Sequence, residues 1–251
     1  MPSTVLFPIP AEDFDPTEVS VTWRCLREAG HRVVFATPQG QVGAPDPIMV
    51  TGQGLGPLGP MLRADTHGRA AWERLFQDED FHRPLAYAGL NVGDFDALVL
   101  PGGHAPGMRT YLEASSLQQF VGQFFASGKP MGAICHGVVL AGRSPHPDTG
   151  RSILEGRRVT SLPRWMELSA WSLTVAWMGH YYRTYPDTTV QDEVTNVVGK
   201  TGEFLAGPWS LKRDAPTDLT PGFVLEDGPL VFGRWPGDAH RFGTTMVQKL
   251  A

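Results

Sequence analysis

Cysteine is scarce in this chain: 251 residues contain only Cys25 and Cys135. Two thiols on separate predicted elements make no disulfide framework, and a chain of this length buries a large core without disulfide or metal staples. A reducing, cytoplasmic setting is expected for a working thiol. No apolar run reaches membrane-spanning length, and the opening MPSTVLFPIP has no basic region leading into an apolar stretch, so neither secretion nor insertion is expected. The net charge of −5 is spread along the chain, without a basic stripe carrying interleaved aromatics. That excludes the usual signature of a nucleic-acid partner and favours small-molecule chemistry. His180, Asp192 and Glu193 invite a metal reading, but no spacing matches a zinc pattern; no metal and no cofactor are expected.

What is present alternates strand and helix. STVLFPIP reads as an opening strand, residues 16 to 30 as a helix closed by Gly30, and HRVVFATP as a second strand, which is a βαβ start. Residues 40 to 92 are rich in Gly and Pro early on, with a helix predicted over 67 to 80. They read as an inserted cap too short to bury a core of its own, within a single domain spanning 1 to 251. FDALVLPGG is a continuous apolar strand, SSLQQFVGQFFASG a helix, and KPMGAIC another apolar strand leading into a small-residue helix. Continuous apolar strands alternating with helices indicate a mostly parallel central sheet covered on both faces, a flavodoxin-like α/β sandwich whose sites lie at the carboxyl ends of the strands. Near the end, LVFGRWPGDAHRFG reads as a last strand, a turn through Pro236 and Gly237, and a closing helix capped by Asp238.

Both informative motifs fall at strand ends. Where KPMGAIC turns into a helix at Cys135, the thiol would stand above the sheet, with the N–H groups of the next turn directed toward it and His136 beside it. A thiolate gains from that positive helix end, as does the oxyanion of an attacked carbonyl. Cys25 has a blander setting: Val19, Trp23, Leu26 and Ala29 recur around it at helical spacing, so it reads as a small core hydrophobe. LVLPGGH places Gly102 and Gly103 where backbone must approach something closely, either as an ordinary turn or as an oxyanion-binding turn. Neither G-x-G-x-x-G nor a Walker-type G-K-[ST] follows there, so a phosphate cofactor is not indicated at this turn. Between 160 and 210 the rings of Trp165, Trp171, Trp177, Tyr181, Tyr182, Tyr185 and Trp209 concentrate, as core, pocket wall or subunit interface.

Taken together, DFDPTEVSVTWRCLREAGHRV, ALVLPGGH and MGAICHG resemble the ThiJ/PfpI superfamily, which is related to class I glutamine amidotransferase domains. The resemblance covers the first 40 residues and about 95 to 145, and with its cap-sized insertion it is nearest the larger glyoxalase III and heat-shock chaperone branch. It implies that Cys135 is the nucleophile, His136 the neighbouring base, and Glu18 a buried, protonated acid hydrogen-bonded to the cysteine sulfur. From position alone Glu18 could equally be a solvated first-turn acid favouring the helix dipole. Gly102 and Gly103 match the family's oxyanion turn, and His104 a position beside the pocket, with a surface histidine as the alternative. Relatives being commonly dimers, a homodimer is the default expectation. The chain departs from the pattern at the acid that orients the histidine, since Arg164 stands where an aspartate is expected. Glu167, three residues on, or a backbone carbonyl would have to substitute. The resemblance implies a cysteine-dependent hydrolase, lyase or glyoxalase-like enzyme acting on a small electrophile. A stress-responsive chaperone or redox sensor using the same thiol is the alternative.

Overall fold

A computed structural model describes all 251 residues. In chain order the elements are β1 (Thr4–Pro8), α1 (Pro16–Glu28), β2 (Arg32–Thr37), α2 (Pro47–Thr51), α3 (Gly59–Leu62), α4 (Thr66–Leu75), β3 (Leu85–Ala86), β4 (Ala97–Leu100), α5 (Arg109–Leu112) and α6 (Ser115–Ala126). They continue with β5 (Met131–Ile134), α7 (His136–Arg143), β6 (Arg158–Val159), α8 (Arg164–Met178), α9 (Val190–Val198), β7 (Glu203–Phe204), β8 (Val224–Asp227), β9 (Leu230–Gly233) and α10 (Ala239–Lys249). Seven strands make the main sheet in the order β3-β2-β1-β4-β5-β9-β8, and β6 pairs with β7 apart from it. Every pairing in the main sheet is parallel except β8 with β9.

The apolar runs explain the layering. ALVL of β4 and MGAI of β5 are buried at every position, as expected for central strands covered on both faces. Helices α1, α4 and α10 pack together on one face, and α5, α6, α7 and α9 on the other. Forty-five buried apolar residues join into one core that includes Phe7, Phe35, Leu98, Ile134 and Phe242. The sheet grows outward from β1 in both directions, so the switch in strand order falls between β1 and β4, where a doubly wound sheet opens a crevice at its carboxyl edge.

Two elements differ from the reading of the sequence. The excursion after β2 is not wholly outside the sheet, because Leu85 and Ala86 return as an edge strand beside Ala36 and Thr37. An antiparallel edge strand, β8, also precedes β9; its intermediate and exposed residues carry no alternating apolar signal. The rest of the 40 to 92 segment packs against two parts of the chain. Its α4 packs on α1, while Met49 and Leu55 form a small cluster with Tyr182, flanked by Trp171 and Tyr181.

Candidate active site

Three segments converge at the switch point: the start of α1 after β1, the turn at 101–104 after β4, and the elbow at Cys135 after β5. Cys135 has φ 87° and ψ −111°, one of only two non-glycine residues with positive φ. Such a conformation costs on the order of 1–3 kcal/mol and persists only where its surroundings fix it. Those surroundings are glycines. A Cβ on Gly137 would overlap the Leu100 carbonyl oxygen, and one on Gly102 would lie 2.7 Å from His136 N and 2.9 Å from Glu18 Oε2. Only glycine at these two positions lets α7 start against the end of β4 with the thiol turned toward the crevice.

Glu18 is not a solvated first-turn acid; it is fully buried. Asp15 caps α1 by accepting from Thr17 N at 2.8 Å and Glu18 N at 2.9 Å, and this seats Glu18 in the first turn facing the sheet. Glu18 Oε2 accepts from Gly102 N at 2.7 Å, Oε1 is buried without a hydrogen-bond partner, and the carboxyl group neighbours the Cys135 thiol. Burial, then Asp15, push the Glu18 carboxyl well above its usual range. Burial also raises Asp15, to about 6.

The thiol departs from expectation. The helix end was expected to favour a thiolate, but Cys135 is 4% exposed, and burial followed by the Glu18 and Asp15 carboxyls raises it well above its ordinary value. The His136 backbone N–H opposes this without reversing it. A protonated Glu18 changes the balance, because a neutral carboxyl group can donate to the sulfur and stabilise the thiolate once it forms.

His136 Nδ1 stands 3.6 Å from Cys135 Sγ, and Nε2 lies 3.0 Å from Thr184 Oγ1. The Thr184 hydroxyl donates its single proton to the His104 carbonyl at 2.7 Å, so toward His136 it can only accept. Nε2 therefore carries the hydrogen, and Nδ1 presents a lone pair to the thiol. Burial, then His104 and Arg143, lower the imidazole to about 3, so it is neutral at pH 7. Arg109 holds the other side of Thr184, with Nε and Nη2 donating to its carbonyl at 3.0 and 2.6 Å.

Thr184 thus occupies the role for which Glu167 was considered. Glu167 is instead turned to the start of α9, accepting from Val190 N at 2.8 Å and pairing with Arg183 Nε at 3.1 Å. It lines the outer cavity, and burial raises it to about 7. Arg164 lies at the surface, paired with Asp192. His180 stacks on Trp171, and Glu193 pairs with Arg143, so the polar residues weighed as metal ligands have separate partners.

The glycine turn is divided in function. Gly102 N–H is committed to Glu18, whereas Gly103 lines the cavity and its N–H has no partner within the chain. One of the two expected oxyanion donors is therefore free. His104 is a pocket residue rather than a surface one. Its ring stacks on Tyr182 with centroids 4.4 Å apart, Nε2 lies 3.9 Å from Asp46, and burial lowers its pKa despite that carboxylate. Cys25 packs against α10 at Gly243 and is pushed up to about 11 by burial, but it is half-buried at the edge of the core rather than inside it. A cavity of about 150 Å³ opens from Cys135, Glu18, Asp15 and His104 outward between the cap and α8.

A doubly wound sheet with a strained cysteine elbow at its switch point places the chain among the glutamine amidotransferase-like α/β proteins. Within that class a family model described as ThiJ/PfpI family-like matches residues 9–208, and the chain belongs to this family. A deglycase of Pyrococcus abyssi is 30% identical over 153 residues, which is 61% of this chain and 69% of that protein. A glutathione-independent glyoxalase of Saccharomyces cerevisiae is 26% identical over 180 residues, 69% of this chain and 67% of its own. Among solved structures, glyoxalase III of Candida albicans superposes with a TM-score of 0.71 at 17% identity, covering 98% of this chain and 97% of the other. The 24 kDa rapid encystment protein of Francisella tularensis gives 0.73 at 16% identity, covering 99% of both. At these identities the two structures speak to the fold alone. No helix is long and apolar enough to cross a membrane.

Proposed function

We propose that the chain is a cysteine-dependent enzyme acting on a small reactive carbonyl compound, in the manner named for its deglycase and glyoxalase relatives. The observation that carries this reading is the Cys135 thiol, held at positive φ between the buried Glu18 carboxyl and Nδ1 of His136 at the base of a cavity. Cys135 Sγ adds to the aldehyde carbon, and the thiol proton passes to the carbonyl oxygen, giving a hemithioacetal. The Gly103 N–H, unpartnered within the chain, would then donate to the charge that develops on that oxygen. With a 2-oxoaldehyde, His136 Nδ1 then takes the proton from C1. Because burial holds the imidazolium high in energy, that proton is passed on to C2. The electron pair thus moves from C1 to C2 within the substrate, and the C1 hydroxyl proton passes to the C2 oxygen, leaving a thioester carbonyl at C1 and a hydroxyl at C2. Water then releases the 2-hydroxy acid, and no outside oxidant is needed. Removal of a carbonyl adduct from an amine would begin with the same attack.

The sensor alternative fits the site less well, since an oxidation-sensing cysteine is exposed and has a low pKa, whereas Cys135 is buried and its thiol is raised. Cys135→Ser is expected to lower turnover of methylglyoxal by at least about 10³-fold while leaving circular dichroism and the thermal midpoint near those of the parent. A serine variant with unchanged turnover removes Cys135 from the reaction.

A further inference from the structure

The cavity above Cys135 is far more apolar than a three-carbon oxoaldehyde requires. Its polar groups gather at the inner end, where Asp15, Glu18 and His104 surround the thiol. Outward it is walled by Met49 and Met166, both nearly buried, and rimmed by Met61, Leu173 and Leu211, which are 46%, 50% and 55% exposed. The three rim residues come from separate parts of the chain: α3, the outer half of α8, and the loop before β8. Single exposed apolar side chains need no explanation; three that converge on the mouth of one cavity leading to a candidate nucleophile do. An apolar volume of about 150 Å³ accommodates a benzene ring, and that is the size found here.

We infer that the site takes carbonyl compounds bearing an aryl or comparably bulky apolar substituent, with the reactive carbonyl at Cys135 and the substituent between Met166, Leu173 and Leu211. This rests on the reading of Cys135 as nucleophile and names the substrate class for it. An apolar pocket discriminates by roughly 10–200-fold for each methylene it encloses, so an aryl group is preferred over a methyl group by at least about tenfold.

Alkylation of Cys135 tests the substituent without relying on turnover. Rates for iodoacetamide and for N-benzyl iodoacetamide are measured at pH 9 by mass spectrometry of the intact protein and its Cys135 peptide, each divided by the rate for free cysteine. The corrected benzyl rate is expected to exceed the unsubstituted rate at least tenfold. In the Leu173→Ser/Leu211→Ser double variant, altered only at half-exposed positions, that preference, read as the ratio of the two corrected rates, falls to within about threefold of unity. Equal corrected rates in the parent protein overturn the apolar-substituent inference and leave the nucleophile standing. Absence of labelling at Cys135 by both reagents overturns the nucleophile reading and the inference with it. If the double variant keeps the preference, the rim does not set it, and the inference fails.

Discussion

Thr184 supplies with a hydroxyl what its relatives' pattern leads one to expect from a carboxylate. A carboxylate beside the imidazole would favour imidazolium, whereas a threonine whose proton is already committed to the His104 carbonyl fixes the tautomer and adds no charge. As the proposed base, His136 is therefore oriented but weak. Thr184→Val keeps the shape and removes both hydrogen bonds, leaving Nε2–H unpaired in a buried setting. Turnover is expected to fall roughly 10–100-fold, less than the about 10⁴-fold that follows when a histidine is left in the wrong tautomer. The pH profile of Cys135 alkylation should shift as well, since the tautomer that gives Nδ1 a lone pair toward the thiol is no longer fixed, and Thr184→Ser should restore both. A valine variant with the parental rate and profile would show that Thr184 only packs. Cys135 and His136 are legible in the sequence because elbow, thiol and base are contiguous, and Glu18 through its place in a set of motifs. Thr184 is 48 residues beyond His136, in RTYPDTT, where nothing marks one hydroxyl above its neighbours. Glu167 has the right chemistry near the right place, but the first turn of α8 aims it at Val190 and Arg183.

At the level of elements, the strands and helices of the common core follow from their apolar runs and bounding Gly and Pro, while the bonds that tie element ends together do not. The start of α10 shows why. Asp238 stands at the capping position but makes no capping bond. Its carboxylate is taken by Arg234, whose Nε and Nη2 both donate at 2.9 Å in a fully buried pair. The first-turn N–H groups of His240 and Arg241 go instead to Asp214, at 3.2 and 2.7 Å, from a loop 26 residues upstream. Burial raises Asp214 to about 7, above its ordinary value of 3.8, against the pull of those two N–H groups. A folded pKa above the unfolded one means the folded state holds its proton longer, so the stabilisation from this group is complete below about pH 3.8 and is lost as pH rises through 7. Asp15 and Glu167 act in the same direction but cancel when parent and variant are compared. Asp214→Asn should therefore gain stability relative to the parent between pH 5 and pH 8, as measured by urea unfolding at each pH. A constant difference between the two proteins across that range would remove Asp214 as a source of pH dependence.

Across the whole molecule, access to Cys135 depends on how two segments outside the parallel core hold each other. The cap meets the aromatic stretch through few polar ties: the Tyr181 hydroxyl donates to Asp46, and Trp177 Nε1 donates to the Gly54 carbonyl at 2.9 Å. Asp46 also caps α2, accepting from Ile48 N at 2.9 Å and Met49 N at 3.3 Å, so one buried carboxylate joins the cap's own helix to the segment facing it. The apolar contact between them is a cluster of three buried residues, set against forty-five in the main core. Local opening free energy follows such differences in buried contact, so the cap should open well before the sheet does. Tyr181→Phe removes one hydrogen bond and leaves an Asp46 oxygen unpaired, a loss of about 1–3 kcal/mol that falls on the cap alone if the two parts open separately. Amide exchange in residues 47–62 should then accelerate roughly 5- to 150-fold, while exchange in β1, β4 and β5 stays at the parental rate. Acceleration of the strands together with the cap would mean that cap and sheet unfold as one unit, and that substrate must enter through the fixed mouth bounded by Met61, Leu173 and Leu211.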